Sequence, residues 1–239
     1  MSSTGEGREQ VCAMNSRTPQ PRPDTVRGVP MHGVPAQRGP SRSGGAPLLD
    51  EIAGMLALRG CRSVLDVGCG EGDALARFAG RGLSCVGLDP SPTALRRASQ
   101  RLGGRAFLLR GGLSDLRMFG ESTLEAVTCF GGAGLVDDVE RMLAEFQRVL
   151  RPEGVLVLTA PTTADRDYGR GMEVARHTFC YQGTFWRFYE RDELRRLMAD
   201  WRVESVRRRS WSEPVRDPRH QPRRARDSWV VLASNPFDD

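Results

Sequence analysis

The stretch Val64-Leu-Asp-Val-Gly-Cys-Gly-Glu-Gly72 (VLDVGCGEG) is the most informative part of this sequence. Its apolar start predicts a buried strand, and the glycine cluster predicts a turn into the helical pattern DALARFAG that follows. Gly68, Gly70 and Gly72 allow the backbone to approach a ligand closely. Because ligands of open parallel sheets bind at the carboxyl ends of the strands, the stretch predicts a binding loop with Asp66 beside it.

Two departures from known phosphate loops indicate what this loop binds. The fingerprint GxGxxG would need glycine at position 73, which is Asp73, and a P-loop would need a lysine, which the chain lacks. A second acid, Asp89, closes the next strand pattern, VGLD, 23 residues after Asp66. A carboxylate there can accept hydrogen bonds from a ribose diol. We therefore expect a nucleoside whose ribose meets Asp89, with an ammonium group or an ordered water near Asp66 instead of a phosphate.

Strand and helix patterns alternate on both sides of this loop. A helical pattern begins at Pro47, and further helical patterns lie between the strand patterns SVLDVGC, SCVGLD and RAFLLRG and between LEAVTCFGG and GVLVLTAP. This alternation is typical of βαβ units and predicts an α/β, doubly wound, mostly parallel sheet. After Pro161 the alternation stops. An aromatic, loop-rich stretch from Tyr168 to Tyr189 precedes a last helix and two strands.

Composition limits the class of protein. The chain is 39% hydrophobic with a net charge of +5, and every basic residue is an arginine. Residues 1–46 hold six of the fifteen prolines and no aromatic residue, so we expect a disordered tail before a domain at 47–239. No apolar run reaches the roughly 20 residues that span a bilayer, and no secretory h-region is visible. With six scattered cysteines that suggest reduced thiols, these features predict a cytoplasmic protein.

Three motifs together carry a family resemblance. VLDVGCGEG, CVGLDPSPTAL and LAEFQRVLRPEGVLVLTAP, in this order and spacing, resemble the successive motifs of class I S-adenosylmethionine-dependent methyltransferases over about residues 47–239. The resemblance implies a Rossmann-like methyltransferase fold, with a seven-stranded, mostly parallel sheet. Its antiparallel last strand would be SWVVLASN. It also implies S-adenosyl-L-methionine as cofactor.

The resemblance further assigns cofactor contacts. Asp66 and the glycine loop would meet the methionyl part, Asp89 the ribose hydroxyls, and Pro90 or Ser91 the adenine. Where the family often has an acid for the adenine amino group, this chain has Gly112. Leu113 could still cover the ring, and Ser114 or Asp115 could reach the amine; Glu125 replaces the aspartate that commonly starts the fourth strand. The full cofactor-binding prediction is Asp66, Gly68, Cys69, Gly70, Gly72, Asp89, Pro90, Leu113, Ser114 and Phe130.

The class of methyl acceptor is narrowed by exclusion. The [DN]PP[FY] motif of enzymes that methylate base amines is replaced by Cys129-Phe-Gly-Gly132. The fifth strand ends in Thr159-Ala-Pro161 without the acid of the metal-dependent catechol type, and the paired-glutamate loop of the protein-arginine type is not visible. Cys129 could attack C5 of a base, but its apolar strand favours a core thiol. Asp137 and Asp138 are interpreted as caps of the following helix.

A metal-independent methyltransferase acting on an O, N or S atom of a small organic acceptor remains. We expect its acceptor site in an insertion at about 162–190, because an aromatic-lined pocket suits an organic molecule. The candidates are His177 as general base, against a purely structural role, and Tyr168, Arg170 and His220 as acceptor contacts. The alternatives are a non-catalytic cofactor-binding module and an RNA methyltransferase. A nucleic-acid partner is disfavoured because the arginine-rich region 202–226 holds Trp211 as its single aromatic residue.

Overall fold

The computed structural model describes residues 45–135, 138–213 and 224–236. The predicted tail, apart from its last two residues, lies outside the described residues, as do His220 and Asp137. The helices are α1 (Ala46–Leu58), α2 (Asp73–Gly80), α3 (Pro92–Leu102), α4 (Val139–Val149) and α5 (Arg191–Leu197). The strands are β1 (Ser63–Val67), β2 (Ser84–Asp89), β3 (Phe107–Arg110), β4 (Leu124–Phe130), β5 (Leu150–Pro161), β6 (Met172–Ala175), β7 (Thr178–Tyr181), β8 (Thr184–Arg187), β9 (Arg202–Glu213) and β10 (Arg224–Ser234).

The main sheet has seven strands in the order β3-β2-β1-β4-β5-β10-β9. Strands β1 to β5 run parallel, and β10 is antiparallel to both β5 and β9. The chain order reverses between β1 and β4, which places the topological switch point beside the glycine loop that follows β1. The predicted doubly wound, mostly parallel sheet with an antiparallel last strand is therefore confirmed.

The helix starts follow from local capping. The Ser91 hydroxyl accepts a hydrogen bond from the backbone N–H of Ala94 at 3.2 Å, and Pro92 occupies the first turn of α3, where a missing N–H costs little. Asp138 caps α4 in the same way, since its carboxylate accepts from the N–H of Arg141 at 2.9 Å. The capping role predicted for Asp138 is confirmed.

Two apolar clusters hold the sheet between its helices. One joins α4 to the sheet around Phe146 and Leu156, and the other joins α1 and α2 to the opposite face around Phe78 and Leu75. Cys129 is fully enclosed in the first cluster, and burial raises the pKa of its thiol to about 12. A thiol held this far from ionisation is a poor nucleophile, so the structure confirms the interpretation of Cys129 as a core residue.

Strands β6, β7 and β8 form a separate antiparallel sheet in that order. Residues after β8 attach it to the carboxyl ends of β4 and β5. The Tyr189 hydroxyl donates to the carbonyl of Ala133 at 2.7 Å, and the Tyr189 N–H donates to the carbonyl of Pro161 at 2.9 Å. The small sheet therefore sits at the same edge of the main sheet as the glycine loop.

Glu125 lies at the amino end of β4, at the opposite end of the strands from the glycine loop. Its carboxylate accepts hydrogen bonds from the backbone N–H groups of Arg62 and Ser63, at 2.6 and 2.9 Å, and so joins the starts of β4 and β1. The replacement of the expected aspartate thus concerns the amino end of the sheet, away from the cofactor loop. None of the helices in the described part of the chain is long and apolar enough to span a membrane.

Candidate cofactor and acceptor sites

The glycine loop is fixed to the end of β2. The N–H groups of Gly68 and Cys69 both donate to the carbonyl of Leu88, at 2.8 and 3.1 Å. Gly68, Gly70 and Gly72 have φ values of 74°, 55° and 77°, which favour glycine. A Cβ added to Gly72 would lie 3.2 Å from the Cβ of Ala98, so this glycine lets α3 approach. A Cβ on Gly68 would meet no described atom within 4 Å, which leaves room for a ligand there.

Asp89 organises the loop through its carboxylate. The side chain is only 4% exposed; Oδ2 accepts from the N–H of Gly70 and Oδ1 from the N–H of Ser91, each at 2.8 Å. Burial raises the pKa of Asp89, while the two backbone donors partly offset the rise. Each oxygen keeps a second lone pair, so the carboxylate can bind a ribose diol while it holds the loop.

Asp66 is a buried acid at the end of β1. It is 2% exposed, and its Oδ1 accepts a hydrogen bond from the Thr128 hydroxyl at 2.7 Å. Burial raises the pKa of Asp66 to about 7, and the nearby Asp89 adds to the rise, against the lowering effect of Thr128. A cationic ligand would stabilise the ionised form. The site therefore suits the ammonium group of a methionyl moiety better than a phosphate.

Acids paired with arginines flank the start of α2. Glu71 forms an ion pair with Arg97 at 2.7 Å, and Asp73 forms one with Arg101. Both arginines belong to α3. Asp73 therefore stands at this helix start as a paired carboxylate, at the position where the GxGxxG fingerprint would need glycine.

The segment after β3 continues the site next to Asp89. The N–H of Gly111 donates to the Asp89 carbonyl at 3.2 Å, and the N–H of Gly112 donates to Asp115 Oδ2 at 2.7 Å. Leu113 is half-buried at the start of a 3-10 turn, and Ser114 follows it in that turn. Asp115 is thus bound to the backbone of Gly112, a contact that sequence reasoning did not foresee.

The other predicted cofactor contacts differ in what they can offer. Pro90 is exposed directly after Asp89. The Cys69 thiol is turned toward β2, 2.8 Å from where a Cβ on Gly87 would lie. Cys69 can therefore contact a ligand of the loop only through its backbone. The ring of Phe130 packs in the core, 6.5 Å from that of Phe78, and its cofactor contact stays a prediction.

Substituting Gly87 with alanine is expected to disturb the loop from beneath. The new Cβ would lie 2.6 Å from Leu75 Cδ1 and 2.8 Å from Cys69 Sγ, so at least one of these buried side chains, or the strand itself, must shift. We expect the free energy of unfolding to fall by about 1–3 kcal/mol in urea denaturation. Gly80→Ala is the control, because its Cβ would meet no described atom within 4 Å. Equal stability of the Gly87→Ala variant and the wild type would show that β2 does not support the loop as described.

Tyr168 lies in an aromatic cluster of the insertion. Its ring makes edge contacts with Phe179 and Phe188, at centroid distances of 5.2 and 5.4 Å, and its hydroxyl is 2.9 Å from His177 Nδ1. The side chains of Phe179 and Phe188 are buried, while Tyr168 is 37% exposed. The structure thus brings together two of the predicted acceptor-site residues, Tyr168 and His177.

Arg170 stands two residues further along, over a different ring. Its Nη2 donates to the Tyr181 hydroxyl at 2.9 Å, and its guanidinium lies 4.3 Å from the centre of that ring. The loop that carries it is tied to β10, because buried Asp165 accepts a hydrogen bond from the N–H of Asp227 at 2.8 Å. Sequence reasoning missed Asp165 and Asp227, since no motif links acids that far apart in the chain.

His177 occupies the turn between β6 and β7 with a φ of 57°. Its Nε2 accepts a hydrogen bond from Arg176 Nε at 3.1 Å and lies 3.7 Å from Glu190 Oε1. Both ring nitrogens therefore have partners. The role of general base stays a prediction, and in this arrangement an acceptor would meet His177 only through Tyr168 or by displacing Arg176.

Comparison with known proteins agrees with this geometry. Residues 65–158 match the protein family described as "Methyltransferase domain". The chain is 33% identical over 126 residues to glycine/sarcosine N-methyltransferase from Parasynechococcus marenigrum, covering 50% of this chain and 43% of that protein. It is 30% identical over 115 residues to a thiol S-methyltransferase from Homo sapiens, covering 46% of each. A SAM-dependent methyltransferase structure from Methanosarcina mazei has a TM-score of 0.62 at 19% identity, covering 74% of this chain and 93% of that one.

The resemblance seen in the sequence is confirmed over the matched part: residues 65–158 match a methyltransferase domain, and the main sheet has the Rossmann-like fold of S-adenosylmethionine-dependent methyltransferase structures. The chain spans about half the length of the curated relatives it matches.

Proposed function

We propose that the protein transfers a methyl group from S-adenosyl-L-methionine to an O, N or S atom of a small organic acceptor. The observation that carries the proposal is the cradle formed by the glycine loop, in which the Asp89 carboxylate holds the Gly70 N–H at 2.8 Å. Buried Asp66 lies at the end of the neighbouring strand. A diol acceptor and an acid suited to an ammonium group match the two ends of this cofactor.

The residues of the cradle would bind S-adenosylmethionine and orient its methyl group. The cofactor supplies a methyl group on a sulfonium, which is an excellent leaving group. The acceptor's lone pair forms the new bond to carbon as the carbon–sulfur bond breaks and its electrons stay on sulfur. Alignment can supply much of the acceleration, so a base is needed only for an acceptor that is protonated at the working pH.

The acceptor site belongs in this proposal to the insertion at about 162–190. The support is its location at the carboxyl edge of β4 and β5, together with the cluster of Tyr168, Phe179 and Phe188. Tyr168 and Arg170 are the proposed acceptor contacts, and His177 the proposed base. His220 is also a proposed acceptor contact, on the evidence of the sequence alone. The two relatives are named for N- and S-methylation, so the attacking atom is left open.

The proposal also covers the need for a metal ion, the kind of partner and the cellular compartment. The transfer needs no metal ion, because Thr159 and Pro161 stand at the end of β5 where the metal-dependent type needs an acid. The partner is a small molecule in place of a nucleic acid. The protein acts in the cytoplasm, which suits the five described cysteines, all of them free buried thiols.

The direct test is release of S-adenosylhomocysteine from S-adenosylmethionine in the presence of thiophenol, phenol, benzoate and benzylamine as probes. We expect release above the acceptor-free rate with at least one probe, and its loss in Asp89→Ala. Tight cofactor binding without transfer to any acceptor would favour the non-catalytic module instead.

A further inference from the structure

A chain of hydrogen bonds links four polar residues outside the cofactor loop. It runs from Glu190 through Arg176 and His177 to Tyr168. We propose that this chain makes Tyr168 a hydrogen-bond donor to the methyl acceptor, and so selects acceptors that carry an anionic oxygen or sulfur. The proposal rests on the proposed function and concerns its acceptor side.

Arg176 determines which atoms donate and which accept in this series of hydrogen bonds. A guanidinium in a protein is always protonated, so the bond of 3.1 Å from Arg176 Nε requires a lone pair on His177 Nε2. The neutral imidazole must then carry its proton on Nδ1, which lies 2.9 Å from the Tyr168 hydroxyl oxygen. Nδ1 is therefore the donor in that bond, and the hydroxyl hydrogen of Tyr168 is free to point elsewhere.

Arg176 pairs with Glu190 at the surface, with its own side chain 79% exposed. Its Nη2 donates to Glu190 Oε2 at 3.2 Å, so one end of the guanidinium is tied to the residue that follows the small sheet. The same carboxylate lies 3.7 Å from His177 Nε2 through its other oxygen. Loss of Arg176 would let His177 turn its proton toward Glu190 and accept one from Tyr168.

The hydroxyl of Tyr168 is held in a fixed position. Its ring is wedged against Phe179 and Phe188, and its backbone N–H donates to the carbonyl of Asp165 at 3.0 Å. His177 is fixed as well, because its carbonyl accepts from the N–H of Phe188 at 2.9 Å and its φ of 57° is uncommon for a residue other than glycine. Because both ring nitrogens are engaged, the hydrogen bonds of His177 favour one tautomer.

A fixed O–H donor favours a partner with a lone pair over an ammonium group, because the hydroxyl oxygen already accepts a hydrogen bond from His177 Nδ1. Carboxylates, phenolates and thiolates share that chemistry, and their attacking atom has no proton to remove. For such acceptors the transfer needs no general base, and the positioning role of His177 replaces the base role proposed for it above. In this account Tyr168 contacts the acceptor, whereas His177 and Arg176 are positioning residues.

The tautomer can be measured without an acceptor. The chain has three histidines, so nitrogen-15 NMR of histidine-labelled protein at pH 8.0 resolves them, and His177→Gln identifies the signal. We expect His177 to be protonated on Nδ1 alone, and Arg176→Met to move the proton toward Nε2. A wild-type ring protonated on Nε2 overturns the proposal, and so does a Tyr168→Phe variant that leaves the Nδ1 signal unchanged.

The acceptor class is tested with two probes of similar shape and opposite charge. Binding of benzoate and benzylammonium is measured by calorimetry with the protein saturated with S-adenosylhomocysteine. We expect benzoate to bind about tenfold tighter or more, and the preference to disappear in Tyr168→Phe, which keeps the protein's charge. Equal binding, no binding, a preference for benzylammonium, or a preference that survives Tyr168→Phe overturns the assignment.

Failure of this proposal and failure of the proposed function give different results. Neither Tyr168 nor His177 touches the cofactor loop, so their variants should bind S-adenosylhomocysteine as the wild type does. A protein that binds no S-adenosylhomocysteine contradicts the proposed function, whatever the tautomer of His177. A protein that binds it and shows the other tautomer contradicts the acceptor assignment alone.

Discussion

Replacing Asp89 with alanine is expected to weaken binding of S-adenosylmethionine by about 100-fold or more. The substitution removes the acceptor of a ribose diol, and hydrogen bonds to a charged group are worth about 1.5–3 kcal/mol each. It also leaves the N–H groups of Gly70 and Ser91 without their acceptor, since both donate to this carboxylate. The loop would therefore lose its shape along with its ligand. Calorimetric titration of the variant and the wild type measures the change.

Two further variants show whether the effect is specific. Asp50→Ala removes a more exposed acid on α1 that pairs with Arg77, and it should bind the cofactor as the wild type does. Asp89→Asn keeps one carbonyl acceptor but loses the other, so its affinity should fall between those of the wild type and the alanine variant. A folded Asp89→Ala protein with unchanged affinity would place the ribose elsewhere.

Replacing Asp66 with asparagine is expected to stabilise the free protein at pH 8 and to weaken cofactor binding. The amide can still accept from the Thr128 hydroxyl, but it carries no charge to be desolvated. Burial raises the pKa of Asp66 from 3.8 to about 7, and each pKa unit corresponds to about 1.4 kcal/mol. The gain in the free energy of unfolding at pH 8 is therefore up to about 4 kcal/mol.

The pH dependence of this gain has a defined sign. Between pH 3.8 and 7 the unfolded chain has released the Asp66 proton while the folded protein keeps it, so wild-type stability falls as pH rises. The advantage of Asp66→Asn should be small at pH 4.5 and complete above pH 7 in urea denaturation. The same variant should bind S-adenosylmethionine about tenfold more weakly or worse, because the ammonium group loses its counter-charge. A variant that is less stable than the wild type at pH 8 would contradict the account of Asp66.

The main sheet could be predicted from the sequence because its signals are local. Apolar runs end at glycines or acids, as at Gly68 and Asp89, and amphipathic helices separate all of them except the third and fourth. The parallel order then follows from right-handed βαβ connections. The small sheet has no clear strand pattern in the sequence, because its strands have only four residues each. One signal was available: Gln182 and Gly183, with φ values of 51° and 73°, form a two-residue turn between TFCY and TFWR.

The contacts in the site also differ in how far they could be predicted from the sequence. Contacts made by the loop itself, such as those of Gly68 and Asp89, follow from motif spacing. The bond between Thr128 and Asp66 joins residues far apart in sequence, and so does the anchoring of the acceptor loop by Asp165 and Asp227. Such contacts depend on how strands align in the folded sheet, which spacing along the chain does not encode. The hydrogen-bond partners of His177 belong to this second group.

The most direct measurement is calorimetric titration of the purified chain with S-adenosylhomocysteine and S-adenosylmethionine. We expect saturable one-to-one binding in the micromolar range, about 8 kcal/mol, that Asp89→Ala weakens and Asp50→Ala leaves unchanged. A well-folded protein that releases no heat with either ligand, and that neither ligand protects against thermal unfolding, would contradict this expectation.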